Sequence, residues 1–195
     1  MNNTSTGFAI SAFQKRLWVL QQKGYTFTNQ IGVSIKGDLD LNRLGKALEA
    51  VVSRHEILRT AYRQQPYFLL PLQVVQDAYQ PATEAEEGPG GATREARMEA
   101  AFQEMLGEQG DPESGRPLQV KIVKLGTEDF FLILKLPALA ADARSVRNLL
   151  GELSACYASG HSGTDPENAP LQFSQYSEWH NALLEEPDEE SLQFW

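Results

Sequence analysis

The three histidines of the chain, His55, His161 and His180, are the side chains best suited to acid–base or metal chemistry. None of them forms an HxxxH or HExxH pair, so their spacing does not predict a metal site. His55 ends a helical pattern between Arg54 and Glu56, where a structural role near a helix C-terminus is favoured over catalysis. The other two histidines lie in polar segments and are expected to be solvated.

Motifs for nucleophilic attack and for phosphate binding are absent from the sequence. No GxSxG elbow precedes a helix, and "GPGG" at 88–91 neither follows a strand nor ends in lysine. The single cysteine, Cys156, cannot form a disulfide framework or a thiolate metal cluster within one chain. Asp142 is the one acid at the end of an apolar strand. No reaction partner accompanies it, so a buried ion pair with an arginine is the better interpretation.

The strand that leads to Asp142 ends in "PALAAD", and this ending is the unusual feature of the sequence. Residues 130–136 form an apolar run, and a helix is predicted over 146–157. Loops between such elements often carry functional side chains. Pro137 and Ala138 occupy this one, yet neither can move a proton or attack a carbonyl.

Helical periodicity predicts several further helices around this loop. Ser11 is a candidate N-cap for the first helix, and Asp40 for the second. An amphipathic helix is predicted over 93–107. One or two more are predicted over 172–195, interrupted at Pro187.

Apolar runs predict strands between these helices. A long strand ends at Gly37, and two more flank a turn at 65–66, where Pro71 should confine the second to an edge or a bulge. The composition up to Gly91 is typical of a solvated loop. The strands on either side of Gly126 are predicted to form a hairpin at the centre of the sheet. Strands and hairpins that alternate with helices predict an α/β sandwich.

Composition limits the classes of partner. The 195 residues, 42% of them hydrophobic, suffice for one sizeable domain or lobe. The net charge of -9 argues against nucleic acids and anionic membranes as partners. The N-terminus lacks the features of a signal peptide, and the longest apolar run is too short to span a bilayer. We therefore expect a soluble, cytoplasmic protein.

Two stretches carry a family resemblance. "SAFQKRLWVLQQ" at 11–22 is similar to the opening motif of condensation domains of nonribosomal peptide synthetases, roughly SxAQxRLWxLxQ, with Phe13 in place of the usual alanine. "RHEILRTAY" at 54–62 resembles the second motif, RHExLRTxF, at all but its last residue, a conservative aromatic change. "GRPLQVKIVKL" and "QFSQYSEWHNALL" are weaker matches, and all four occur in the order of the family.

The resemblance implies a chloramphenicol-acetyltransferase-like lobe with a mixed, mostly antiparallel sheet packed with helices. Condensation domains resemble two such lobes arranged as a V, with the active site in a tunnel between them. A chain of 195 residues is similar to the N-terminal lobe alone. Residues 1–195 are therefore expected to be one partial domain without the second lobe.

The resemblance also implies that the catalytic position has been lost. In the family the core strand ends in HHxxxDG, whose second histidine is linked to amide formation between two phosphopantetheine-tethered substrates. Aligned on Asp142, Pro137 and Ala138 stand at the two histidine positions, and Ala143 replaces the glycine. No catalytic residue is expected, and Asp142 should pair with one of the motif arginines. The residues interpreted as a structural motif are Arg54, His55, Arg59 and Asp142.

Three functions follow from this interpretation. The first is an inactive docking module that contacts an adjacent adenylation domain or carrier protein, or a tailoring enzyme acting in trans. The second is a vestigial remnant of an initiation module. The third is a residual acyl or peptidyl transferase with a non-histidine base. The lobe itself should bind no cofactor or metal, and phosphopantetheine would arrive on a partner carrier protein. An exposed apolar face would also allow weak self-association.

Overall fold

The computed structural model describes residues 7–90, 93–160 and 169–185. Helices and strands alternate along them, as the sequence predicted. The helices are α1 (Ala12–Gln22), α2 (Leu41–Arg54), α3 (Arg94–Gly107), α4 (Ala143–Ser159) and α5 (Phe173–Glu185), with a short 3₁₀ turn at Glu56–Arg59. The strands are β1 (Phe8–Ala9), β2 (Thr28–Lys36), β3 (Thr60–Arg63), β4 (Leu72–Val75), β5 (Ala85–Glu87), β6 (Gln119–Gly126) and β7 (Asp129–Pro137).

The described strands form two sheets. The larger has the order β2-β7-β6-β5, and the smaller has the order β1-β4-β3. All neighbours are antiparallel except β5 and β6, which are parallel. The hairpin of β6 and β7 therefore lies at the centre of the larger sheet, which confirms the prediction. In the pairing of β2 with β7, Thr28 lies opposite Pro137, so the end of the core strand is still part of the sheet.

Strand β7 is apolar on both faces because helices cover both. Leu132, Leu134 and Leu136 belong to the main core, which is completed by residues of α2 and α4. Phe131 and Ile133 point the other way and pack in a second cluster with residues of α3. Since side chains alternate along a strand, a strand covered on both faces has a continuous apolar sequence.

Side-chain caps fix where the helices begin. Ser11 and Gln14 form a reciprocal capping box at α1, and Asp40 and Thr93 cap α2 and α3. These starts agree with the sequence patterns. Helix α4 begins three residues earlier than predicted, because the Asp142 side chain caps it.

Two expectations about strands were wrong. Strand β5 lies within the segment interpreted as a solvated loop, and it adds an edge to the larger sheet beside β6. Strand β4 is the central strand of the smaller sheet and pairs in regular register, although Pro71 predicted an edge or a bulge. Pro71 directly precedes the strand at Leu72, where no ladder hydrogen bond is lost. The predicted helix interruption at Pro187 lies outside the described residues.

Candidate functional site

The loop from Pro137 to Asp142, which we call the β7–α4 loop, is held mainly through its backbone. The Ala138 N–H donates to the Phe27 carbonyl at 2.9 Å and so continues the β2–β7 pairing. The N–H groups of Ala140 and Ala141 both donate to the Pro137 carbonyl, at 2.9 and 3.2 Å. These bonds do not depend on which side chains occupy positions 137 and 138.

A buried pair of side chains holds the same loop from outside. The Leu139 carbonyl accepts hydrogen bonds from the Gln14 amide and from the Tyr62 hydroxyl, both at 2.9 Å. Gln14 also donates to the Tyr62 oxygen at 3.0 Å, which closes a triangle of bonds. Burial raises the pKa of Tyr62 far above its usual range, although the bond from Gln14 lowers it in part. Tyr62 is therefore a neutral donor.

The Ala138 side chain faces apolar surroundings. It is half-buried against a cluster formed by Ile10, Leu17, Trp18, Tyr62 and Leu139. A methyl group cannot accept a proton from an amine or donate a hydrogen bond to a tetrahedral intermediate.

Lys135 is a buried amine near this loop that the sequence analysis missed. Its side chain is 1% exposed, and its Nζ donates to the carbonyls of Met105 at 2.6 Å, Leu106 at 3.5 Å and Glu108. These are orphan carbonyls at the end of α3, so the ammonium group caps that helix. Burial lowers the pKa of Lys135. The sequence did contain a signal for this buried amine, because Lys135 is a charged residue inside the otherwise apolar run of β7.

A cavity of about 170 Å³ opens beside the loop. Tyr62, Lys135, Pro137 and Leu139 all line it. Its two ionisable groups from the core, the phenol and the amine, both have structural hydrogen bonds to carbonyls. Neither is placed as a free base.

Asp142 does not form the ion pair predicted for it. Its carboxylate is exposed and accepts bonds from the backbone N–H and the hydroxyl of Ser145, both at 2.7 Å. Hydrogen bonds from Ser145 lower the pKa of Asp142. No salt bridge joins it to Arg54 or Arg59 in the part of the chain described here. The prediction was wrong because an acid just before a helix satisfies the helix N-terminus instead.

The motif residues 54–59, which we call the RHE segment, connect several elements through side chains. His55 Nε2 lies 2.8 Å from Glu152 of α4, and Arg54 lies 3.8 Å from the same carboxylate. Arg59 donates to the Gln76 carbonyl after β4, at 2.6 Å. The segment thus joins α2 to α4 and to the smaller sheet.

Helix α5 also attaches to the RHE segment. Gln172 accepts from the Glu56 N–H at 2.9 Å and donates to the Arg54 carbonyl at 3.1 Å. The Ser174 hydroxyl lies 3.2 Å from the Glu56 carboxylate. One short segment therefore positions both α4 and α5.

A second cavity, of about 240 Å³, lies between the RHE segment and the β7–α4 loop. Its lining includes His55, Glu152, Ala140, Ala141 and Ser145. The structure thus brings His55 near the loop, whereas Arg59 and Ala138 do not line this cavity. Of the other histidines, His180 lies on α5 and His161 is outside the described residues.

Metal sites and membrane-spanning helices were not found in residues 7–90, 93–160 and 169–185. No group of three or more potential metal-binding side chains was found there. No helix among those residues is both long and apolar enough to cross a bilayer.

Comparisons with known sequences agree with the motifs. The family model for the condensation domain matches residues 5–195. The isonitrile lipopeptide synthase of Mycobacterium tuberculosis is 30% identical over 185 residues, which cover 92% of this chain and 7% of that protein. The enniatin synthase of Fusarium equiseti is 27% identical over 194 residues, which cover 93% of this chain and 6% of that protein. The chain thus spans less than a tenth of the length of these relatives.

Solved structures confirm the predicted fold. The X-domain from teicoplanin biosynthesis has a TM-score of 0.80 and 27% identity, and the match covers all of this chain and 44% of that one. The X-domain in its complex with OxyB has a TM-score of 0.74 and 28% identity, and the match covers 95% of this chain and 40% of that one. The first condensation domain of the CDA synthetase, at 15% identity and a TM-score of 0.72, shares the fold. The α/β architecture is thus that of a chloramphenicol-acetyltransferase-like lobe.

Proposed function

The chain belongs to the condensation-domain family, and from that premise we propose that it is a catalytically silent lobe that acts as a docking module in a nonribosomal peptide synthetase. The observation that carries the proposal is the side chain at position 138. The Ala138 methyl group packs among apolar neighbours, and the proposal takes this position, aligned on Asp142, as that of the second histidine of the family motif. The surrounding ionisable groups are already used to hold the fold.

The ionisable groups near position 138 support inactivity because each has a structural partner. Tyr62 donates to the Leu139 carbonyl, Lys135 caps α3, and Asp142 caps α4. Recruiting any of them as a base would break a bond that holds the loop or a helix end. The proposal therefore includes no catalytic residue.

A docking role is supported by the likeness to the X-domain, one structure of which is a complex with OxyB. Condensation domains work with adjacent synthetase domains, so we propose an adenylation domain or a carrier protein as the adjoining partner. A tailoring enzyme acting in trans is the alternative that the X-domain complex suggests. We further propose that phosphopantetheine reaches this lobe only on a carrier protein, and that residues 1–195 correspond to one lobe.

The test is an amide-forming assay with two carrier proteins, one loaded with a donor acyl group and the other with an acceptor aminoacyl group. Mass spectrometry of the carriers should show no condensation product with the unmodified chain or with Ala138→His. Positioning of reactants supplies about 7 to 11 kcal/mol of a barrier, more than one general base does. A second lobe should therefore matter more than one histidine.

An active two-lobe condensation domain, given the same loaded carriers, is the positive control. Product above background with the unmodified chain would overturn the proposal. Product with Ala138→His alone would show that this lobe positions both substrates by itself.

Residual transferase activity is the second candidate, and one observation favours it. The His55–Glu152 pair lines a cavity of about 240 Å³ next to the β7–α4 loop, and a histidine oriented by a carboxylate can act as a base. This base would be a histidine, contrary to the sequence prediction for the residual enzyme. Any product that disappears in His55→Gln would support this candidate.

A further inference from the structure

The cavity of about 240 Å³ between the RHE segment and the β7–α4 loop, which we call the RHE cavity, has an apolar inner end. Leu58, Leu136, Ala141 and Leu149 line it, and each of them is at most 8% exposed. All four belong to the main core. The half-buried ring of Phe173, at the start of α5, adds an aromatic side chain to the lining. The RHE cavity therefore reaches into the hydrophobic core of the lobe.

The outer end of the RHE cavity is polar and accessible to solvent. Ser145 and Asn148 of α4 are exposed, and the Glu152 side chain is 39% exposed. Spacings of three and four residues place these side chains on one face of the helix. An amide group can donate and accept hydrogen bonds, and a carboxylate can accept them. A ligand that fits this cavity thus needs an apolar body with a hydrogen-bonding group at one end.

The charges at the outer end favour a neutral ligand. The Glu152 carboxylate lies 2.8 Å from His55 Nε2 and 3.8 Å from Arg54 Nε, so an ammonium group would compete with existing partners. A carboxylate group on the ligand would meet Glu152 and Asp142, whose side chain is bound by Ser145. Either charge would also lose hydration beside the apolar core.

The volume of the RHE cavity limits the size of the ligand. An apolar cavity of about 150 Å³ is large enough to bind benzene. A cavity of about 240 Å³ therefore accommodates one ring with a few substituent atoms. An aromatic ring would gain an additional contact with Phe173, because aromatic pairs attract each other in offset or tilted arrangements.

We propose that the RHE cavity is a binding site for a small neutral aryl alcohol, such as a phenol. The ring would occupy the inner end, and the hydroxyl group would bond to Asn148 or Glu152 at the outer end. Ala138 packs in a different cluster and does not line this cavity, so the site is separate from position 138. The inference goes beyond the docking role and does not depend on it.

The experiment uses the 195-residue chain and p-cresol as the probe. We expect calorimetry to give a dissociation constant below about 1 mM. Toluene, which lacks the hydroxyl group, should bind about tenfold more weakly because one hydrogen bond is lost. The charged analogues 4-methylbenzoate and 4-methylbenzylamine should also bind more weakly than p-cresol. In methyl NMR spectra of the unmodified chain, p-cresol should shift the signals of Leu136 and Leu149 but not that of Leu17, which lies in another cluster.

Two pairs of variants test the two ends of the cavity. Ala140→Leu fills the cavity and should abolish binding, whereas Ala143→Leu adds the same side chain at an exposed position outside the lining and should not. Asn148→Ala with Glu152→Ala should reduce the binding of p-cresol to the level of toluene. Arg144→Ala with Arg147→Ala, at exposed positions of α4 outside the lining, is the matched control. Thermal denaturation shows whether each variant is folded, and the NMR titration locates the ligand even if Ala140→Leu is not.

Four results would overturn the inference. They are no shift of the Leu136 and Leu149 methyl signals, unchanged binding to folded Ala140→Leu, tighter binding of either charged analogue, and equal binding of toluene. Such a result leaves the docking role intact when the carrier assay gives no amide product. Amide product together with cavity-specific binding of p-cresol would remove the silent role and leave the binding site.

Discussion

The RHE segment and the β7–α4 loop keep the fold in place by different means. The RHE segment acts largely through side chains, with His55, Glu56 and Arg59 reaching α4, α5 and the end of β4. Its backbone adds two bonds to Gln172, just before α5. The β7–α4 loop acts through its backbone, and its Leu139 carbonyl is bound by side chains from elsewhere. Side-chain identity is therefore constrained in the first region and free in much of the second.

This difference is what the proposed silent role requires, because the fold then tolerates proline and alanine at positions 137 and 138. Positions 137 and 138 contribute backbone groups and apolar contact to the structure, and proline and alanine supply both. The RHE segment has no such freedom, because each of its polar side chains has a specific partner. A substitution in the RHE segment would therefore break a specific contact, whereas one at position 137 or 138 would leave the backbone bonds of the loop in place.

Gln14→Leu should have the largest effect on stability. Gln14 is buried, and its amide bonds to the Leu139 carbonyl, the Tyr62 hydroxyl and the Ser11 N–H. Leaving such groups without a partner should lower the free energy of unfolding by about 2 to 3 kcal/mol. Urea denaturation measures the change. If the free energy of unfolding falls by less than for a typical surface substitution, the β7–α4 loop does not depend on the hydrogen bonds of Gln14.

Alkaline pH should weaken both regions together. Tyr62 binds the Leu139 carbonyl of the loop, and Tyr79 binds the Leu58 carbonyl of the RHE segment. Burial raises the pKa of Tyr79 to about 12 and that of Tyr62 further. Because the folded pKa values exceed the unfolded value of 10.0, this stability is complete below pH 10 and is lost as the pH rises towards 12. Absorbance at the phenolate band should show late titration, which Tyr62→Phe and Tyr79→Phe should each reduce.

Asp142→Ala should cost about 1 kcal/mol, the usual loss for an N-cap. A buried ion pair would instead have cost about 3 to 5 kcal/mol. The folded pKa of Asp142 lies below the ordinary 3.8, so its contribution is present above that pH and fades as the pH falls further. Asp142→Asn, which can still cap, is the control for melting temperature. A loss in the ion-pair range would contradict the capping role.

His55→Ala should lower the free energy of unfolding by less than Asp142→Ala does, because the His55–Glu152 contact is partly exposed to solvent. Exposed ion pairs contribute about 1 kcal/mol at most. Hydrogen exchange should show faster opening of α4 near Glu152, while the first turn of α5 stays protected through Glu56 and Gln172. Equal loosening of both helices would mean that the segment acts as a single unit.

Pro137→Ala should have the smallest effect. The Pro137 carbonyl keeps its two bonds in the variant, and proline contributes no N–H to the ladder. We expect a change of within about 0.5 kcal/mol, as for ordinary surface substitutions. A large loss would show that the proline ring itself holds the loop, and the contrast between the two regions would then fail.

The sequence predicted most of the fold because local patterns determine it. The caps at Ser11 and Asp40, the start of α3 near Thr93 and the central hairpin were readable from residue type and spacing. Strand β5 was missed because two of its three residues carry charges and because it pairs only with a strand distant in sequence. No local signal marks such a pairing.

The candidate site was less predictable for a different reason. Position 138 could be found through the family motif, but the partner of Asp142 could not, since Ser145 and two arginines were all available to it. The role of Tyr62 was hidden because its hydroxyl looked like a conservative addition to phenylalanine. Tertiary contacts decided each of these cases.

The short strand β5 has a consequence for behaviour at high concentration. It forms one edge of the larger sheet, and such edges can recruit strands from other molecules and start aggregation. This edge is three residues long and carries Glu86 and Glu87, which face Lys121 and Lys124 of β6 at 4.0 and 3.8 Å. An incoming strand would have to approach these carboxylates. The charged residues thus disfavour the pairing of another strand beside β5.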